Sequence, residues 1–77
     1  MTLHEAIALV LSEYNRPMTA NEIALEVNNR DLYQQRDGGS VPSSQIHARV
    51  NKRPHLFYKE KISGGNDLIG LVQWLNN

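Results

Sequence analysis

The residues whose side-chain chemistry most clearly indicates a function lie between positions 41 and 61, where basic side chains are concentrated. This segment holds five Lys or Arg residues against one Glu, a formal charge of +4, although the 77-residue chain has no net charge. Basic side chains neutralise phosphates, and an arginine fork can also hydrogen-bond base edges. The segment therefore predicts a surface for a polyanion, and its basic residues are Arg49, Lys52, Arg53, Lys59 and Lys61.

The serines and the cations of this segment each have a purely structural explanation as well as a functional one. Ser43 and Ser44 stand where a helix is expected to start, so their hydroxyls and the free backbone amides could clamp a phosphate. Serine at a helix start more commonly acts as a cap, and the two roles are compatible. The cations, in turn, could form a solvated helix face beside an edge strand that lysines protect against aggregation.

Two helices are predicted ahead of the basic segment. Thr2 with Glu5, and Thr19 with Glu22, have the TxxE spacing that is typical of a capping box at a helix start. Apolar spacing predicts a first helix that ends near Asn15, before the break at Pro17, and a second helix over about residues 20 to 29. A short extended link joins them.

The segment from Asn29 to Val41 has no sustained period and ends in two glycines, so it is predicted to be a loop, with Leu32 and Tyr33 as its anchors to the core. A third helix is expected to begin between Pro42 and Ser44 and to end before Pro54. In that helix Ile46 and Val50 are expected to face inward, and Ala48 to allow a close approach.

A hairpin is predicted to complete the chain. Residues 56–62 and 68–72 have strand character, and Gly64 and Gly65 suit a tight turn between them. The order helix, link, helix, loop, helix, hairpin is typical of a winged helix. We therefore predict one α+β, mainly α domain over residues 1–77, a winged helix-turn-helix with three helices and a C-terminal β-hairpin wing.

Three stretches of the chain resemble the HARE-type helix-turn-helix module, which occurs in chromatin proteins and some restriction endonucleases. They are TLHEAIALVL, RPMTANEI and PSSQIHARVNKRPHLF, and the resemblance extends over about residues 2 to 72. Met18 and Ile23 resemble core positions of the family. The resemblance implies DNA binding and recruitment of effector domains to DNA.

The same resemblance implies that the third helix is the recognition helix. Its outward face would comprise Ser43, Ser44, Gln45, His47, Arg49 and Lys52. Lys59, Lys61 and the turn from Ser63 to Asn66 would form the wing. The wing tip carries Asp67 and no cation, which argues against its insertion into a minor groove.

Other classes of function find little support. The acids are scattered, and the histidines at positions 4, 47 and 55 lack the short spacing of a zinc site in a chain without cysteine. We predict no enzyme, cofactor, metal site or small-molecule substrate. No apolar run approaches the roughly 18 residues of a membrane span. Trp74 is expected to pack on the core, or to anchor an interface with a further domain.

The leading prediction is a noncatalytic module that binds double-stranded DNA and targets a larger protein or complex to it, in transcription, chromatin or restriction. It would act in the bacterial cytoplasm, with the nucleoid, or in a eukaryotic nucleus. The alternative is a winged helix that binds a partner protein and not DNA, which the zero net charge favours. Fusion to an effector such as a nuclease is a third alternative.

Overall fold

The computed structural model describes residues 1–62 and 64–75. Its elements are α1 (Leu3–Tyr14), β1 (Met18–Thr19), α2 (Ala20–Asn29), α3 (Ser43–Asn51), β2 (Phe57–Glu60), β3 (Leu68–Leu71) and a 3-10 helix, η1 (Val72–Leu75). Three helices and a three-stranded antiparallel sheet confirm the predicted α+β, mainly helical fold, which is consistent with a winged helix-turn-helix. We call residues 57–71 the wing; Ser63, predicted to open its turn, lies outside the described residues.

Both predicted capping boxes are present at the helix starts. In α1 the amide of Glu5 donates to the Thr2 hydroxyl at 3.3 Å, and the amide of Thr2 donates to the Glu5 carboxylate at 2.8 Å. Thr19 and Glu22 make the same reciprocal pair in α2, at 3.2 and 3.0 Å. Because each box satisfies two amides that lack partners within the helix, it fixes where the helix begins.

The link between α1 and α2 is a strand, which the sequence analysis did not predict. Met18 pairs with Ile69 and Thr19 with Leu68, so β1 lies beside β3 in the sheet order β1-β3-β2. The wing is therefore attached to the joint between the first two helices. Its own strands are shorter than predicted, since β2 ends at Glu60 and Val72 begins η1.

One core lies between the helices and the sheet. Fully buried side chains come from α1, α2 and α3 and from β1 and β3, among them Ile7, Met18, Ile23, Ile46 and Ile69. The predicted loop anchors Leu32 and Tyr33, and also Trp74, pack against this core as partly buried residues. Among the described helices, none is long and apolar enough to cross a membrane.

The start and the packing of α3 differ from expectation in two details. Pro42 occupies the N-cap position with no side-chain capping hydrogen bond, so neither Ser43 nor Ser44 caps the helix. Ala48 does not serve a close approach to the core, because it is exposed. The inward positions of Ile46 and Val50 are confirmed.

Candidate nucleic-acid interface

The most exposed face of α3 is defined by its distance from the two core residues. Successive residues of a helix lie about 100° apart, so the positions opposite Ile46 and Val50 are those around Ala48. The exposed residues of α3 and its C-cap are Ser44, Ala48, Asn51 and Lys52, which we call the outer face. Two of the predicted site residues, Ser44 and Lys52, lie on it. The sequence analysis missed Ala48 and Asn51.

His47 lies on one flank of the outer face and does not project from it. With Ser43 it lines a small polar cleft of about 40 Å³, together with Asn21 of α2 and Asn66 of the wing. The Nδ1 atom of His47 is buried and has no hydrogen-bond partner within the described part of the chain. Ser43 and His47 are therefore held where α2, α3 and the wing meet.

Arg49 lies on the opposite flank, because it follows Ala48 where His47 precedes it. Together with Arg53 it lines a larger cleft of about 460 Å³. The other walls of this cleft are Tyr33 of the loop and residues 1–5 at the start of α1. The predicted recognition surface is thus divided between the outer face and two different flanks.

Gln45 is tied to the loop that precedes α3. Its side-chain nitrogen donates to the Gln35 oxygen at 3.1 Å, and the Gln35 nitrogen donates to the Gln45 oxygen at 2.9 Å. Gln35 also donates to the backbone carbonyl of Ser40 at 3.2 Å. A base-edge contact by Gln45 would have to compete with this amide pair.

Asn28 makes a second connection to the same loop. Its amide nitrogen donates to the carbonyl of Val41 at 3.0 Å, and its oxygen accepts the Val41 amide at 2.8 Å. This pair of bonds joins the last turn of α2 to the residue just before the N-cap of α3. Sequence reasoning missed both Asn28 and Gln35, since a single polar residue among others gives no local sign of a partner 10 or 13 positions away.

The two wing lysines lie at the margin of the sheet. Lys59 belongs to β2, an edge strand, and Lys61 follows that strand; both are exposed, as is Glu60 between them. This position suits contact with a phosphate, but it equally suits protection of the edge against pairing with another strand.

In the described part of the chain, the ion pairs involve arginines outside α3. In the first half of the chain, Arg30 contacts Glu13 at 2.6 Å and Glu26 at 3.9 Å, and Arg16 contacts Glu22 at 3.7 Å. Across residues 1–62 and 64–75, by contrast, no ion pair involves Arg49, Lys52, Arg53, Lys59 or Lys61. Within the described residues, acids of α1 and α2 therefore pair with Arg16 and Arg30, while the cations of the basic segment form no ion pair.

The comparison with protein families agrees with this architecture. Residues 1–63 match the model of the HARE-HTH family, described as the HTH domain of ASXL proteins and restriction endonucleases. No curated protein and no solved structure shows significant similarity to the chain. The match covers most of the chain and includes all three helices.

Proposed function

Because the chain belongs to the HARE-HTH family, we propose that it binds double-stranded DNA with α3 in the major groove. The observation that carries this proposal is an exposed helix face with Ser44, Asn51 and Lys52 on it and no ion pair among its described residues. A major groove admits one α-helix, and hydroxyl, amide and ammonium groups hydrogen-bond base edges and phosphates there.

The contacts made beside the helix would then position the module on the DNA and would contribute less to recognition of the base sequence. Lys59 and Lys61 of the wing are proposed to approach DNA phosphates. Ser43 and His47, which lie near the start of α2, are proposed to lie close to the DNA backbone. We propose no catalytic step for the module. Its role would be to target a larger protein or complex to DNA in transcription, chromatin or restriction, in a bacterial nucleoid or a eukaryotic nucleus.

The small size of the proposed DNA-binding surface is consistent with a module that is tethered to a larger assembly. A single small module neutralises few phosphates, so its affinity in isolation is expected to be low, and attachment to a larger assembly would raise its effective concentration at DNA. The second candidate function is protein binding without DNA contact. The observation that favours it is the zero net charge of the chain.

A salt titration tests the proposal. We expect the logarithm of duplex affinity to fall with the logarithm of salt concentration by about 0.9 for each phosphate neutralised. Lys52→Ala, on the outer face, is expected to lower this slope by about 1. Fluorescence anisotropy with a labelled duplex gives both quantities.

Arg16→Ala is the matched control, because Arg16 lies outside α3 and already pairs with Glu22. It should leave the slope unchanged. Duplex binding that does not respond to salt, or an equal loss in the two variants, would contradict the proposal. Salt-independent association with a protein partner, in the absence of any duplex binding, would support the second candidate.

A further inference from the structure

The side chains that line the cleft between α3 and the start of α1 are suited to binding an anion. Its volume is about 460 Å³, and its lining includes Arg49, Arg53, Tyr33, His4 and Glu5. Arg49 lies in the last turn of α3, and Arg53 directly follows the C-cap Lys52, where its amide donates to the Val50 carbonyl at 3.0 Å in a closing turn. Both side chains line the same cleft.

Neither guanidinium in the cleft has an acidic partner among the residues that the structure describes. Glu5 is the carboxylate in the lining, and it accepts the Thr2 amide at 2.8 Å in the capping box of α1. Within the described residues it forms no ion pair with Arg49 or Arg53. With His4 neutral, the lining side chains therefore carry a formal charge of +1, and two planar donor groups face a cleft that contains further donors in Tyr33 and His4.

The position of the cleft relative to the outer face indicates which anion would reach it. Arg49 and His47 lie on opposite flanks of Ala48, and the His47 flank adjoins Asn66 of the wing. A helix in a major groove about 12 Å wide has one sugar-phosphate backbone on each side. If α3 occupies the groove, the wing flank therefore faces one strand, and the Arg49 and Arg53 flank faces the other.

We propose that the cleft lined by Arg49, Arg53 and Tyr33 binds a backbone phosphate of the DNA strand that the wing does not face. This inference rests on the proposed function and adds to it a second phosphate site, separate from the outer face of α3. The two guanidinium groups supply charge and parallel N–H donors, which match the geometry of phosphate oxygens. Tyr33 and His4 supply the remaining donors. The module would thus hold both strands.

The test compares the Arg49→Gln/Arg53→Gln double variant with wild type in the same salt titration of a duplex. We expect the slope of the double variant to fall by about 0.9, the value for one phosphate, while salt dependence remains through Lys52 and the wing. Arg53→Gln alone, beyond the C-cap of α3, serves as a second variant with less effect on the helix. Arg16→Gln is the matched control and should leave the slope unchanged.

A second measurement locates the contact. The side-chain NMR signals of His4 and Tyr33 are expected to shift when the wild type is saturated with duplex, and to stay in place in the saturated double variant. If Lys52→Gln lowers the slope but the double variant does not, and the His4 and Tyr33 signals stay in place, the cleft is not a phosphate site, although the proposed function stands. If neither the wild type nor any variant binds the duplex, both proposals fail. Shifts of these signals with an acidic peptide but not with duplex would overturn this inference in favour of a protein ligand.

Discussion

Asn28 is the side chain that fixes the start of α3 to α2. It is partly buried, and its amide both donates to and accepts from the backbone of Val41. Asn28→Ala removes both bonds and leaves two backbone groups to find other partners, so we expect the free energy of unfolding to fall by about 1 to 3 kcal/mol. Urea denaturation monitored by circular dichroism measures the change.

The neighbouring asparagine provides the control. Asn29 is exposed at the end of the same helix, and Asn29→Ala should change the free energy of unfolding by less than about 0.5 kcal/mol. Equal stability of the Asn28→Ala and Asn29→Ala variants would show that the loop positions α3 without this contact.

At the scale of elements, the wing contains a close cross-strand contact between a tyrosine ring and a glycine. Tyr58 of β2 lies directly opposite Gly70 of β3, and its ring covers the glycine so closely that a Cβ at position 70 would overlap the far end of the ring. Gly70→Ala is therefore expected to displace the ring, and because the atoms it meets are the far end of a half-buried side chain, the free energy of unfolding should fall by only about 1 kcal/mol. Thermal and urea denaturation of the variant measure this loss.

A double-mutant cycle isolates the contact. In a Tyr58→Ala background no ring meets the added methyl group, and alanine restricts the unfolded chain more than glycine does, so Gly70→Ala should then cost little or even stabilise. An identical cost in both backgrounds would mean that the ring is not what excludes a side chain at position 70.

The elements that the sequence predicted well are those defined by neighbours in the chain. The capping boxes of α1 and α2 and the apolar spacing of α1 act within a few residues, so their bounds were predicted to within one residue of the structure. Strand β1 is two residues long and exists only because β3 pairs with it from about 50 positions away. A local pattern carries no information about such a partner.

The same distinction explains the outcome for the candidate site. The cations and their helix were identified from composition and order, but the sequence analysis grouped residues from the outer face with residues from both flanks. Ala48 separates His47 from Arg49 in the sequence and also in space, since about 200° lies between them around the helix axis. Only the packing of the loop and the start of α1 shows that Arg49 and Arg53 share a cleft with Tyr33.

At the scale of the whole molecule, an acid of α1 contacts the arginine at the end of α2. Arg30 of the loop after α2 donates to Glu13 of α1, and this contact lowers the pKa of Glu13 and raises that of Arg30. The capping hydrogen bonds from Thr2 likewise lower the pKa of Glu5. Both carboxylates are therefore more stable in their charged form in the folded protein than in the unfolded chain.

This arrangement predicts the direction of acid denaturation. A carboxylate whose pKa is lowered by folding contributes stability above its unfolded value, which is near 4.5, and loses that contribution as the pH falls through the lower folded value. We expect Glu13→Gln to lower the melting temperature near pH 7. The decrease should be small, because the pair of Glu13 and Arg30 is exposed and screened by solvent. The difference from wild type should disappear as the pH falls through the lowered pKa of Glu13, where its carboxylate becomes protonated.

Melting curves at several pH values between about 3 and 7 test this expectation, with Glu60→Gln as the control. Glu60 is exposed on the edge strand, and it forms no ion pair within the part of the chain that the structure describes. Its substitution should shift the melting temperature much less than Glu13→Gln near neutral pH. A Glu13→Gln variant as stable as wild type at every pH would show that the contact between α1 and Arg30 does not contribute to folding.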